Sequence, residues 1–138
     1  MAVELIRSAR LFQGVPYAYA ATAPGTDLIF TAGACPLGDD GRVVAPGDVV
    51  AQARRTLENL RIALEDCGAT MCDVLKTTVY VATGNRDDLV AAWNEVARAF
   101  GDHDAPSTLL GVAVLGYRDQ MVEIEAVAAL AAVPDGHL

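Results

Sequence analysis

Apolar residues are densest over 105–130, in two arms joined by Gly116-Tyr117-Arg118-Asp119. Both arms are rich in small and β-branched residues, and the Gly/Asp turn between them predicts two strands paired as a hairpin. In the first arm both alternating sets are apolar: Leu109, Ala113 and Leu115 on one side, Leu110, Val112 and Val114 on the other. Such a strand is expected to be covered on both faces. In the second arm Val122, Ile124, Ala126, Ala128 and Leu130 share one face, and Met121, Glu123, Glu125, Val127 and Ala129 the other.

The rest of the chain is punctuated clearly. Residues 3–11 alternate loosely and predict a first strand. Gly14-Val15-Pro16-Tyr17 turns into a second near 18–23, and Pro24-Gly25-Thr26-Asp27 closes a hairpin onto a buried strand over 28–34. Asp48, after Pro46-Gly47, is a good N-cap for a helix whose apolar stripe runs Val50, Ala53, Leu57, Leu60, Leu64 and Cys67, with Gly68 as the stop. Over 73–81, Leu75, Thr77, Val79 and Val81 alternate with Lys76, Thr78 and Tyr80, which predicts a strand. A second helix follows Thr83-Gly84-Asn85, with Leu89, Trp93, Val96 and Phe100 as its stripe and Gly101 as its end. The order is β-β-β-α-β-α-β-β: an α+β domain over 1–132 with a mostly antiparallel sheet, both helices on one face, and a fraying tail over 133–138. Two helices cover only one face of such a sheet, yet the strands over 28–34 and 107–115 are apolar on both. Another copy of the chain is the economical cover, and any pocket would then lie between subunits.

Composition narrows the function. Hydrophobic residues make up 53% of 138, but no apolar run reaches the roughly 20 residues of a membrane span. The first residues lack a signal-peptide pattern, so a cytoplasmic location is expected. Cys35, Cys67 and Cys72 have no metal-ligand spacing and read as reduced thiols; Cys67 and Cys72 flank a turn and read as structural. The net charge of −8 argues against nucleic acid, whose binding needs a basic surface. Arg54, Arg55 and Arg61 fall on a helix studded with acids and read as a solvated face. The chemistry points instead to Glu123 and Glu125. Residues i and i+2 on a strand lie about 6–7 Å apart. Two carboxylates so placed on a partly dry face raise each other's proton affinity, which marks them as acid/base candidates; the plainer reading is a wet face with both solvated.

Gly14-Val-Pro-Tyr17, Ile29-Phe-Thr-Ala-Gly33, the run from Val49 to Leu60, Asp73-Val-Leu-Lys-Thr-Thr-Val-Tyr-Val81, Trp93-Asn94 and Val122-Glu-Ile-Glu-Ala-Val-Ala128 resemble the RidA family (YjgF/YER057c/UK114, also called L-PSP) over nearly the whole chain. The resemblance implies a chorismate-mutase-like fold, a homotrimer with small-molecule clefts between subunits, and hydrolysis of imines or enamines such as 2-aminoacrylate to keto acids and ammonia without a cofactor or metal. It carries family pocket roles onto Tyr17, Gly33 and Asn94, and the role of holding the hydrolytic water onto Glu123. Read without it, Tyr17 is an interface aromatic, Gly33 a packing glycine and Asn94 a surface amide.

One position departs from the family pattern. Where active imine deaminases carry an arginine that grips the substrate carboxylate, two residues after Pro106, this chain has Thr108. A threonine offers one neutral hydrogen bond and no charge. Arg118, in the following turn, supplies a cation only if that turn folds towards the cleft. The expectation is therefore a cleft hydrolase or deaminase. Glu123 handles water, Thr108 and backbone N–H groups near Gly33 and Ser107 bind substrate, and small 2-imino acids are disfavoured. The alternatives are a non-catalytic binding or regulatory module and, against the charge and the lack of a His pair, an endoribonuclease.

Overall fold

The computed structural model describes residues 2–7, 9–18 and 20–132. The expected tail over 133–138 lies outside the described residues. The elements are β1 (Glu4–Ile6), β2 (Ala20–Thr22), β3 (Thr26–Phe30), α1 (Val49–Asp66), β4 (Val74–Ala82), α2 (Arg86–Phe100), β5 (Ser107–Val112) and β6 (Val122–Ala131), with one 3-10 turn at Met71–Asp73. This is the α+β order read from the sequence. Among the described residues, no helix is long and apolar enough to cross a membrane.

The helix ends follow the local chemistry. The Asp48 carboxylate accepts from Ala51 N at 3.0 Å, satisfying one of the free N–H groups of α1. Asn85 does the same for Asp87 N at the start of α2. Leu57, Leu60 and Leu64 of α1 and Ala92, Val96 and Phe100 of α2 are buried against the sheet. There they meet Val74, Val79 and Val81 of β4 and Val122, Ile124, Ala126 and Ala128 of β6. The predicted stripe of α2 is shifted slightly: Val96 and Phe100 are buried, while Leu89 and Trp93 only flank the core.

The strand pairing departs from expectation. The four-stranded sheet runs β3-β6-β4-β5, and β1-β2 form a separate two-stranded sheet. So β5 and β6 are not a hairpin: β4 lies between them, antiparallel to β6 and parallel to β5. The crossover through α2 carries the chain from β4 to its parallel neighbour, which a run of strand-like residues around a turn cannot reveal. β5 also ends at Val112, so 113–115 are not strand. Likewise Pro24–Asp27 is no hairpin turn, because β2 pairs with β1 and β3 with β6. β3 stops at Phe30; beyond it, Thr31 still bonds Ala126, and Ala34 bridges Ile124. The first two strands are three residues each, shorter than their apolar runs.

Alternation along β4 and β6 sends Lys76, Thr78, Tyr80, Glu123, Glu125 and Val127 to the face away from the helices. Leu28 and Phe30 of β3 pair with Ala129 and Val127 and lie on that face, 54% and 71% exposed. Leu110 of β5, opposite Tyr80, is exposed there too.

Candidate functional site

Glu123 is half-buried on the open face of β6. Its carboxylate folds back over the segment that follows β3. There Ala34 N donates to Ile124 O at 2.7 Å and Ile124 N to Ala34 O at 3.0 Å, which locks the two backbones together. A Cβ built on Gly33 would lie 2.2 Å from Glu123 Oε2 and 2.7 Å from its Cγ. The absent side chain of Gly33 is thus the space that Glu123 occupies.

The other oxygen, Oε1, accepts from Cys35 Sγ at 3.3 Å and from Gln120 Nε2 at 3.2 Å. Burial, then the hydrogen bond to the Glu123 carboxylate, push the Cys35 thiol up to about 11. At neutral pH it is an S–H donor rather than a nucleophilic thiolate. Glu125, expected to couple with Glu123, has its own partner: it accepts from Tyr80 Oη at 2.6 Å. That bond raises the Tyr80 phenol above its ordinary value.

Two loops converge on Glu123, and both are tied to α1. Asn59 Nδ2 donates to Cys35 O at 2.8 Å and to Leu37 O at 3.0 Å; Arg55 Nε donates to Leu37 O at 2.9 Å. Gln52, fully buried, donates from Nε2 to Asp119 O at 3.0 Å and accepts from Met121 N at 2.7 Å. Asp119 has φ 66, a left-handed conformation that aspartate tolerates better than most residues. Arg55, expected on a solvated face, instead holds Leu37 O and pairs with Asp39, and it shares its helix face with Gln52 and Asn59. Their spacing of three and four places them on one stripe, and that was the available signal.

The other predicted residues fall elsewhere. Tyr17 stacks edge-on against Trp93, ring centroids 6.5 Å apart, and the pair borders a depression of about 320 Å³ with Pro16, Ser107 and Leu109. Ser107 Oγ accepts from Thr77 Oγ1 at 2.7 Å. Asn94 is exposed on α2. Arg118 is exposed and borders another depression of about 320 Å³ together with Gln120, whose amide reaches Glu123. One chain therefore groups Gly33 with Glu123, and Tyr17 with Ser107, at separate places.

Thr108 has a charged neighbour after all. Lys76 Nζ donates to Thr108 Oγ1 at 2.5 Å. The parallel register sets Thr78 opposite Thr108 and brings Lys76, on the same face, within reach. Desolvation lowers the Lys76 ammonium from its ordinary value. A hairpin reading of 105–130 hides this contact, because it pairs β5 with the wrong strand.

The candidate site is thus a half-buried carboxylate held over a glycine on the open face of a four-stranded sheet that carries two helices on its other face. The family described as Endoribonuclease L-PSP matches residues 10–130, and the chain belongs to that family. It is 34% identical over 103 residues to a RutC family protein of Pyrococcus abyssi, covering 74% of this chain and 78% of that one. It is 35% identical over 122 residues to the 2-iminobutanoate/2-iminopropanoate deaminase of Escherichia coli strain K12, covering 84% and 92%. A Rid family protein of unknown function from Yersinia pestis superposes with a TM-score of 0.88 at 27% identity, over 94% of this chain and all of the other.

Proposed function

We propose that the chain is a homotrimeric hydrolase of imines or enamines, with Glu123 as the group that moves the proton. The observation that carries this reading is the asymmetry of Glu123: one oxygen is hydrogen-bonded and the other lies over the bare backbone of Gly33. A water oxygen adds to the imine carbon while its proton passes to Glu123. That proton is returned to nitrogen, giving a carbinolamine; Glu123 then takes the hydroxyl proton and delivers it to the amino nitrogen as the C=O bond forms and the C–N bond breaks, and ammonia and a carbonyl product leave. The E. coli relative named as a 2-iminobutanoate/2-iminopropanoate deaminase supports the reaction class.

Association through the open face supplies the missing half of the cleft in this reading. It brings the Tyr17 and Ser107 surface of one subunit to Glu123 of the next, and it covers Leu28, Phe30 and Leu110. At the clamp position Lys76 gives a point charge beside Thr108, without the two-pronged grip of a guanidinium. Larger or neutral imines are therefore better substrates than small 2-imino acids. The same weak clamp favours, as second reading, a module that binds such a metabolite and leaves it unchanged.

The test is ammonia release from 2-iminobutanoate and from an uncharged imine. Wild type should release ammonia from at least one, and Glu123→Gln should lose about 100-fold or more of that rate, the usual scale of general acid–base catalysis. Ligand binding with no ammonia from either compound selects the binding module.

A further inference from the structure

We propose that Cys35 and Gln120 form a two-donor clamp on Glu123 Oε1, set in place by α1, which leaves Oε2 as the one basic atom offered to a ligand. The inference rests on Glu123 being the proton-moving group of the proposed reaction, and assigns positioning roles to two residues that take no part in it.

The direction of each donor is fixed by its surroundings. Gln120 is 4% exposed. Its Oε1 accepts from Tyr117 N at 3.1 Å, so its amide nitrogen must point the other way, where it donates to Val122 O at 3.0 Å and to Glu123 Oε1 at 3.2 Å. A flipped amide would set oxygen against oxygen at both places. Cys35 keeps its proton well above neutral pH, and of the two acceptors in reach of its S–H, Gly33 O at 3.5 Å and Glu123 Oε1 at 3.3 Å, the charged carboxylate is the nearer and the stronger.

Behind the donors stands one helix stripe. Gln52 grips the backbone on either side of Gln120, and Asn59 grips the carbonyl of Cys35. The carboxylate therefore has a hydrogen-bonded oxygen and a distinct second one, and it loses the torsional freedom that a solvated glutamate keeps. Preorganised geometry of this kind is worth most where a proton must be moved along one line. Among the described residues, titratable groups that face Glu123 include Cys35, Tyr80 opposite it on β4, and Glu125 two residues along its own strand.

Hydrogen bonds to a charged carboxylate favour that form. The test is a carbon-13 carboxyl NMR titration of Glu123 in the full-length protein, as wild type, Cys35→Ala, Cys35→Ser and Gln120→Met. Losing either donor should move the Glu123 midpoint upward, because each donor bonds the charged carboxylate. Cys35→Ser, which retains a donor, should stay at or below wild type. In an imine assay the donor-less variants should lose about tenfold in kcat, a part of the general-base effect, with little change in KM. The acidic limb of the rate profile should shift upward by the same amount as the NMR midpoint. Coinciding midpoints in wild type, Cys35→Ala and Cys35→Ser would overturn the clamp, whatever becomes of the Gln120→Met fold. If the midpoints move as expected but no form releases ammonia, the clamp stands and the hydrolase reading fails.

Discussion

Gly33 lacks a side chain where Glu123 needs room. The requirement is steric rather than conformational, since the nearest atoms to a Cβ there are three atoms of the glutamate. Gly33→Ala should push the Glu123 carboxylate off its two donors at little cost in stability, because the clash is with the far end of a flexible side chain rather than with backbone. The expected outcome is loss of imine turnover with a thermal midpoint within a few degrees of wild type. A variant with full turnover would mean that the observed Glu123 rotamer is not the working one. At the same scale, Arg7 donates to Asp104 Oδ2 at 2.8 Å and holds that carboxyl below its ordinary value of 3.8. A depressed carboxyl adds stability above its unfolded value and loses it as pH falls through the lower folded value. Asp104→Asn should therefore be less stable than wild type at neutral pH, with the gap closing below 3.8 in thermal melts. A gap that persists in acid would assign the effect to packing.

Helix α1 is the element that joins stability to the site. Its apolar stripe packs on the sheet, while Gln52, Arg55 and Asn59 hold the two loops around Glu123. Gln52→Leu keeps similar bulk but leaves Met121 N and Asp119 O without their partner. The expected cost is about 1–3 kcal/mol in urea unfolding, the scale of unsatisfied buried polar groups, together with weaker catalysis through a loosened Gln120. A neutral effect on both would show that the loop before β6 is held by other contacts. The sequence made the limits of this helix legible, through Asp48 and Gly68, because caps are local chemistry. The role of its polar stripe was not legible, because its partners sit far along the chain in loops with no periodicity.

On the scale of the whole molecule, the sheet has a packed face and a bare one. Phe30 is 71% exposed on a face it shares with Lys76 and Glu125, a mixture of apolar and charged groups that water covers poorly. Under the trimer reading, Phe30→Asp should put a charge into the subunit contact. Sedimentation should then move from a three-chain species to single chains, with loss of any turnover that needs two subunits. A wild type that sediments as a single chain at micromolar concentration would remove the cleft on which the proposed function depends.

What the sequence determined by itself was the order of elements, the Asp48 cap of the first helix, and the two faces of the last strand, with Glu123 and Glu125 together on one of them. All of these follow from periodicity and capping, which act over a few residues. The tertiary structure alone decided that β4 separates β5 from β6, that Lys76 meets Thr108 across 32 positions, and that Cys35 meets Glu123 across 88. Strand order depends on how the crossovers and the packed core share space, and the same alternating pattern is compatible with several neighbours.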